Sequence, residues 1–324
     1  MEIISSIDEN EYAFDYQKSI NIKKLSKLNS STKLFLGWKW IVNQTFNDSL
    51  KNYQNCKKYF LNTVSPCDLL ADTSDFQKIL KNMNCFDKVF ISCPYTVNYL
   101  NNISQTNRYN FTFLPNYSSF LFDKYSESND NNLKIYEVCY IGSILSKEHL
   151  EILKIIKNFK HFFVSWQKRS LRNFFEWPFF INFLGFKSNQ EKWDLLSKCK
   201  IQVSTNLLYL KKNEVENFTK NSNLSFKFYD YAIKNRILPQ IKSRCIESFS
   251  TKCLLLLKHD KWNVIEEWFK PNEDFIYWYD YKDLKEKISY ISSNFSKYSH
   301  IATNAQNKVK KFYFEDFFHN LENI

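Results

Sequence analysis

Residues 239–281, PQIKSRCIESFSTKCLLLLKHDKWNVIEEWFKPNEDFIYWYDY, decide the fold of this chain. The spacing of the apolar residues after Pro239 predicts a helix. The uninterrupted apolar run at residues 253–257 predicts a strand that is covered on both faces. Helical periodicity returns at residues 262–269, and the aromatic segment 275–278 predicts another strand. Helix and strand therefore alternate, as they do around a parallel sheet.

The same alternation extends outward along the chain. Further strands are predicted at residues 34–42, 60–64, 86–92, 111–115, 136–141, 161–166, 179–184 and 200–205. Helices are predicted at residues 47–60, 75–83, 96–103, 147–158, 190–197, 283–295 and 302–320. Residues 1–31 and 209–238 show no clear pattern. The sequence therefore predicts an α/β protein with a parallel sheet in each half.

Two domains are expected from the length of the chain. At 324 residues it is about twice as long as a typical domain. Residues 116–132 are rich in Ser, Asp and Asn, which is typical of a connection between domains. We expect domains at residues 1–125 and 126–324.

Basic residues outnumber acidic residues in this chain. The chain has 45 Lys and Arg against 34 Asp and Glu, a formal net charge of +11. A basic surface suits diphosphates, anionic lipid surfaces, acidic polysaccharides or nucleic acid, and does not choose among them. The N-terminal residues lack a basic segment followed by an apolar one, and no stretch reaches the roughly 18 apolar residues of a membrane span. We expect a cytoplasmic protein, with peripheral membrane contact left open.

The cysteines show no metal-binding pattern in the sequence. They lie at positions 56, 67, 85, 93, 139, 199, 245 and 253. There is no C-x-x-C pair and no ligand-like grouping with the five histidines. Reduced, buried thiols are therefore predicted, without a structural zinc site.

A cation and a carboxylate lie one helical turn apart in the opening stretch. A helix N-terminus and the guanidinium of Arg244 both favour a diphosphate. The carboxylate of Glu247 can accept hydrogen bonds from hydroxyl groups. The alternative is that Arg244 and Glu247 form an ordinary pair on a solvated helix face.

A second candidate segment follows the predicted strand 136–141. This strand runs into Gly142 and Ser143, and a helix is predicted soon after. Such a turn is where Rossmann-like sheets let backbone amides approach a phosphate. A plain connection between strand and helix is the alternative.

These motifs resemble the donor half of the GT-B glycosyltransferases. The resemblance rests on Arg-x-x-Glu, the apolar strand after it, FIYW and the helix from Asp283. It also covers the strand with Gly-Ser and the segment INFLGFKSNQEKWDLLSKCKIQVSTNLL at residues 181–208. The chain is most similar to the group 1 enzymes of the spore-maturation type.

The resemblance implies a fold and a site. The fold has two Rossmann-like domains that face each other across a cleft, with a C-terminal helix that crosses back to the first domain. The implied nucleotide-sugar site consists of Gly142, Ser143, Thr205, Asn206, Lys242, Arg244 and Glu247. Thr205 and Asn206 are also explained as polar residues that end a strand.

The resemblance also implies an activity. The chain would pass a sugar from a UDP- or GDP-linked donor to a hydroxyl of a glycan, lipid or protein. Arg244 and Glu247 would act in catalysis. Glu247 would bind the ribose of the donor, and Arg244 together with Lys242 would neutralise the diphosphate. No Asp-x-Asp motif appears in residues 126–324, so a metal-independent reaction is expected.

Several questions stay open at the level of sequence. Pro239 occupies the position eight residues before Glu247 where many retaining relatives have an acidic residue, so the stereochemical outcome is undecided. An inverting enzyme needs a general base, for which the candidates are Asp68, Asp72 and Asp87. Tyr95 and Thr96 either contact a substrate or begin a helix.

Two other functions are compatible with the sequence. A non-catalytic protein that binds glycans or polyanions would keep the fold and the basic surface without transferring sugar. A nucleic-acid-binding protein would bind oligonucleotides with a steep salt dependence. Neither alternative requires the donor motifs, so nucleic acid is not the expected partner.

Overall fold

The computed structural model describes nine parts of the chain. These are residues 2–5, 32–36, 56–61, 82–91, 93–111, 125, 134–165, 181–209 and 234–312. The chain divides into two compact units, Met1–Ser118 with Leu208–Ile241, and Ser119–Leu207 with Lys242–Ile324. The domain boundary at residue 125 stays a prediction.

The first unit contains a parallel sheet of five strands. Its strands are β1 (Glu2–Ser5), β2 (Thr32–Leu36), β3 (Lys57–Leu61), β4 (Lys88–Ile91) and β5 (Tyr109–Phe111). The strands follow one another in chain order, and each neighbouring pair is parallel. Helix α1 (Pro94–Ser104) connects β4 to β5. Phe60, Val89 and Ile91 are buried in the core of this unit.

In the first unit, the predictions from local sequence differ from the structure at two places. Residues 57–60 are predicted as the end of a helix, but they belong to β3, where Phe60 pairs in register with Val89. Residues 2–5, which have no predicted structure, form the edge strand β1. In both cases pairing with a neighbouring strand outweighs the local preference of the chain. Helix α1 begins at Pro94, with Cys93 as its N-cap, so Thr96 does not cap it.

The second unit also contains a parallel sheet of five strands. They are β6 (Tyr136–Ile141), β7 (His161–Val164), β8 (Cys199–Ser204), β11 (Leu254–Lys258) and β12 (Ile276–Trp278). Their order across the sheet is β12-β11-β8-β6-β7, and Phe183 forms a parallel bridge with Phe163 at the β7 edge. With that bridge the order is that of a doubly wound fold, 3-2-1-4-5-6. The order reverses between β6 and β8, where such sheets bind their ligands at the carboxyl ends of the strands.

Helices cover both faces of the second sheet. They are α2 (Lys147–Ile156), α3 (Asn189–Ser197), α4 (Ser243–Ser250), α5 (Tyr281–Ser293) and α6 (Ser299–Val309). Helices α2 and α5 bury their apolar sides in one core, together with Tyr140, Val203 and Leu256. Helices α3 and α4 pack against the sheet and against each other, and Leu196 of α3 lies in the core formed with Cys139 and Phe162. The alternation predicted from the apolar runs is therefore confirmed in this unit.

Three predicted helices of the second unit differ from the structure. The helix after Pro239 begins only at Ser243, because residues Ile237–Pro239 form β10, which pairs with β9 (Leu207–Tyr209). Residues 262–269 contain a single 3₁₀ turn, Val264–Glu267. Helix α6 ends at Val309, and a 3₁₀ turn follows at Lys310–Phe312. Residues 313–320 lie outside the described part, so a helix that crosses back to the first domain stays a prediction.

Within the ranges that the structure describes, no helix is long and apolar enough to cross a membrane.

Candidate functional site

Gly142 and Arg244 meet at the point where the strand order reverses. Gly142 directly follows β6 and has φ of +140°, a conformation that residues with a side chain rarely adopt. A Cβ atom at this position would overlap the guanidinium of Arg244. The N–H of Gly142 donates to the carbonyl oxygen of Val164 at 2.9 Å. Gly142 therefore provides space for Arg244, whereas its own amide, which we expected to approach a phosphate, is already hydrogen-bonded.

The start of α4 brings two cations to this point. Lys242 is the N-cap residue of α4, and Arg244 follows in the first turn. Both side chains are only partly buried. The guanidinium lies 6.0 Å from the centre of the Tyr140 ring. Two cations and a helix N-terminus beside Gly142 create a positive potential that favours an anion.

His149 of α2 holds the turn after β6. Its Nδ1 atom accepts a hydrogen bond from the N–H of Leu145 at 3.1 Å. Burial lowers the pKa of His149 to about 3, and the charges of Arg244 and Lys242 add to that shift. The imidazole is therefore neutral near pH 7 and acts as an acceptor that fixes the turn.

We expect the neutral His149 to make the fold sensitive to acid. The unfolded chain binds a proton at this residue below pH 6.5, whereas the folded chain does so only near pH 3. The free energy of unfolding should therefore fall by about 1.4 kcal/mol for each pH unit within this window. Urea unfolding at pH 7.5, 5.5 and 4.5 measures this slope, which should be smaller in His149→Gln. The control is His300→Gln, which replaces an exposed histidine of α6. Equal slopes in all three proteins would contradict a neutral, buried His149.

Glu247 forms a buried ion pair with a residue that the sequence analysis did not identify. Its Oε1 atom lies 2.8 Å from Nζ of Lys192 in α3, and the two side chains are 3% and 8% exposed. Helix α3 is fixed by a capping box in which Ser188 and Glu191 bond each other's backbone. The pair excludes the alternative in which Glu247 lies on a solvated helix face. No spacing in the sequence indicates Lys192, because its partner is 55 residues away.

The polar residues after β8 join the sheet to α4. Thr205 and Asn206 are both buried. The Oδ1 atom of Asn206 accepts from the N–H of Lys242 and from the thiol of Cys245, each at 3.4 Å. Asn206 thus supports the start of α4 from the neighbouring strand end.

All seven predicted site residues lie in the second unit, but they do not form one cluster. Arg244 reaches Gly142 at the end of β6, next to Ser143. Lys242 and Asn206 are joined by a hydrogen bond. Glu247 is directed toward α3 instead. The site therefore has a cationic part at β6 and an acidic part at α3, connected through α4.

Of the three candidate general bases in the first unit, Asp87 is the one that lies within the described residues. Asp87 is exposed at the amino end of β4, and its carboxylate accepts from the N–H of Lys58 at 2.7 Å. Ligands of parallel sheets bind at the opposite, carboxyl end. Asp68, Asp72 and the side chains of Tyr95 and Thr96 lie outside the described residues.

Comparison with known proteins identified a family model that matches part of the chain. Residues 165–316 match the family model described as Glycosyl transferase-like. The chain has no significant sequence match among curated proteins.

Solved structures show the same two-domain fold at low sequence identity. HepE of Anabaena in complex with UDP has a TM-score of 0.56 and 9% identity, with both chains covered completely. Sucrose-phosphate synthase of Thermosynechococcus elongatus has a TM-score of 0.54 and 10% identity, covering 97% of this chain and 78% of its own. TarM of S. aureus, solved with fondaparinux, α-GlcNAc-glycerol and UDP, has a TM-score of 0.53 and 13% identity. This alignment covers 93% of the present chain but only 57% of TarM.

The family match includes α3, β8, α4 and the strands and helices up to α6, and therefore Lys192, Arg244 and Glu247. The similar structures extend the likeness to the first unit. Residues 165–316 thus match the model of the glycosyl transferase-like family, and the chain as a whole has the fold of the GT-B glycosyltransferases.

Proposed function

We propose that the chain transfers a sugar from a UDP-linked donor to a hydroxyl group, and that the donor binds at the carboxyl ends of β6 and β8. The observation that carries this proposal is the guanidinium of Arg244 against Gly142, at the reversal of the strand order. A diphosphate is the group in a nucleotide sugar that such a cation suits. UDP is favoured over GDP because HepE and TarM were both solved with UDP.

Arg244 and Lys242 stabilise the leaving group in this proposal. Cleavage of the bond between the sugar and the diphosphate leaves negative charge on the diphosphate oxygens. A preorganised cation beside those oxygens lowers the energy of the transition state. Two side-chain cations at the start of α4 supply the charge that a metal ion supplies elsewhere. The proposed reaction is therefore metal-independent.

Glu247 binds the ribose of the donor in this proposal, and Lys192 positions its carboxylate. The bond from Lys192 holds one oxygen atom of the carboxylate in place. A carboxylate held in this way is suited to accept hydrogen bonds from ribose hydroxyls.

The acceptor is the less defined substrate. A hydroxyl of a glycan is favoured, since the structures with this fold include TarM with fondaparinux and α-GlcNAc-glycerol. Lipid and protein hydroxyls remain alternatives. A cytoplasmic location, peripheral membrane contact and the spore-maturation subtype stay predictions.

The role of Arg244 is tested by comparing two ligands. In Arg244→Ala we expect the affinity for UDP to fall about 10- to 100-fold, because charge-assisted hydrogen bonds to the diphosphate are lost. The affinity for uridine, which has no phosphate, should change little. Isothermal titration calorimetry measures both. Lys282→Ala is the control, since the Lys282 side chain is 86% exposed on α5. An equal loss for UDP and uridine would remove Arg244 from the diphosphate.

Glu247→Gln should give the complementary result. UDP and uridine share the ribose, so both affinities should fall by a similar factor, about tenfold. Glu286→Gln, on the exposed side of α5, is the control. Unchanged binding of both ligands would remove Glu247 from the ribose site.

Transfer itself requires a separate assay. The chain should release UDP from its UDP-sugar donor when a hydroxyl acceptor is present. Binding of UDP-sugars without any release or transfer would favour the non-catalytic alternative. Oligonucleotide binding with a steep salt dependence, and no binding of UDP, would favour the nucleic-acid alternative.

A further inference from the structure

Three cysteines far apart in the sequence meet inside the second unit. Cys139 lies in β6, Cys199 begins β8, and Cys253 immediately precedes β11. All three side chains are fully buried, and their sulfur atoms all lie within 4.8 Å of one another. The sequence analysis found no grouping of cysteines, because separations of 60 and 54 residues match no ligand motif. The parallel order β11-β8-β6 brings them together.

The spacing of the sulfur atoms suits a single thiophilic ion. Metal–sulfur bonds of about 2.3 Å place the sulfurs of three ligands about 4 Å apart. That separation falls within the 4.8 Å limit of the cluster. Soft thiolate ligands select Zn²⁺ and Cu⁺ over harder ions. No fourth His, Cys, Asp or Glu donor joins this group among the residues whose positions are described. Three thiolates therefore form the site, and a water molecule or an amide oxygen would be the fourth ligand of Zn²⁺.

A buried amide beside the cluster supplies a second, independent observation. Gln202 of β8 pairs in register with Cys139 of β6, so both side chains lie on the same face of the sheet. The Gln202 side chain is fully buried, and neither its Nε2 nor its Oε1 atom has a hydrogen-bond partner. A buried amide without partners is costly and often marks the place of a water molecule or an ion. An ion held by the thiolates would give its oxygen a partner, directly or through water.

The charge of a neighbouring lysine also suits a metal ion bound by three thiolates. The ammonium group of Lys134 donates to the carbonyl oxygen of Lys252, next to Cys253, at 3.0 Å. Its positive charge acts on all three cysteines. A Zn²⁺ ion with three thiolates carries a net charge of −1, which one ammonium group balances. None of the ion pairs among the described residues joins Lys134 to a carboxylate. The metal–thiolate group would therefore be the anion that balances its charge.

We propose that Cys139, Cys199 and Cys253 bind one thiophilic metal ion, Zn²⁺ or Cu⁺, that links β6, β8 and β11 in the core. Cys199 and Cys253 lie at the amino ends of their strands, whereas the donor site is at the carboxyl ends. The ion is therefore structural, and the proposal does not depend on sugar transfer. Binding replaces three S–H bonds by three metal–sulfur bonds and releases three protons. No change of oxidation state is involved.

Metal titration of the whole, reduced chain tests the proposal. The chain is treated with a chelator and a reductant without oxygen, and Zn²⁺ and Cu⁺ are added in separate experiments. One equivalent of one of these ions should remain after desalting, as measured by mass spectrometry of the metal. Binding of Cd²⁺ as a probe should produce a thiolate-to-metal charge-transfer band in the ultraviolet. The melting temperature should rise with the bound ion.

Variants identify the ligands. Cys139→Ala, Cys199→Ala and Cys253→Ala should each lose the bound equivalent and the charge-transfer band. Cys93→Ala should keep both, since Cys93 is buried in the other unit. If a variant fails to fold, the titration of the unchanged chain still decides the question. The proposal is wrong if the folded, reduced chain retains no ion, if Cys93→Ala loses as much metal as the other variants, or if two of the three cysteines form a disulfide.

Discussion

Replacing Lys192 by methionine is expected to lower the free energy of unfolding by about 3–5 kcal/mol. The substitution leaves the buried carboxylate of Glu247 without the cation that lies 2.8 Å from it. Methionine retains most of the apolar volume of lysine, so the loss comes mainly from the charge. Urea denaturation measures the change, and the affinity for UDP should fall at the same time because Glu247 is no longer held in place.

A double-mutant cycle separates the pair from its surroundings. Lys192→Met and Glu247→Gln should each be strongly destabilising, and the double variant should be more stable than the sum of the two effects predicts, because no charge is then left buried alone. Lys154→Met provides the control. Lys154 forms an ion pair with Glu151 at 2.6 Å, but this pair is exposed, so its loss should cost at most about 1 kcal/mol. Additive effects of the two substitutions would show that the buried pair is not coupled.

Replacing Gly142 by alanine is expected to lower kcat/KM for the UDP-sugar donor about 10- to 100-fold. The new methyl group would occupy the space of the Arg244 guanidinium and displace it from the diphosphate site. The charge-assisted hydrogen bonds lost in this way account for the size of the effect. Steady-state kinetics with the donor varied, together with UDP affinity, measure it.

Two further variants separate displacement from backbone strain. Gly185 also has a positive φ, +72°, but nothing lies within 4 Å of the position of its Cβ. Gly185→Ala should therefore show the cost of strain in stability and leave donor binding unchanged. In an Arg244→Ala background, Gly142→Ala should cause little additional loss of activity, because the clashing group is gone. If Gly142→Ala weakens UDP as strongly in that background as in the parent chain, Arg244 does not mediate the effect.

Much of the second unit could be predicted from residues that are neighbours in the chain. Strand β6 has the predicted bounds, and α3 begins within one residue of its expected start because Ser188 and Glu191 form a capping box. The uninterrupted apolar run at residues 253–257 identified β11, which is buried on both faces. The prediction failed at β3, and at residues 262–269, where only a single 3₁₀ turn forms. In β3 the contacts with neighbouring strands decide the structure, and they involve residues far away in the sequence.

All seven predicted site residues lie in the second unit, but the directions of their side chains were not predictable from the sequence. Arg244 and Glu247 are one turn apart, and the sequence analysis assigned them to the diphosphate and the ribose of one donor. The structure directs Arg244 to Gly142 and Glu247 to Lys192. The side of α4 that faces each neighbour depends on the packing of α3 and of the sheet, so the sequence near Arg244 does not contain this information.

By itself, the sequence determined the α/β class, the parallel strands of the second unit and the resemblance to nucleotide-sugar transferases, because apolar periodicity and short motifs are local properties. Only the tertiary structure decided that Lys192 partners Glu247, that Gly142 makes room for Arg244 and that three cysteines share one place in the core. These contacts join residues from 54 to more than 100 positions apart. Such pairs are set by strand order and helix packing, and no local pattern in the chain specifies which distant side chains will meet.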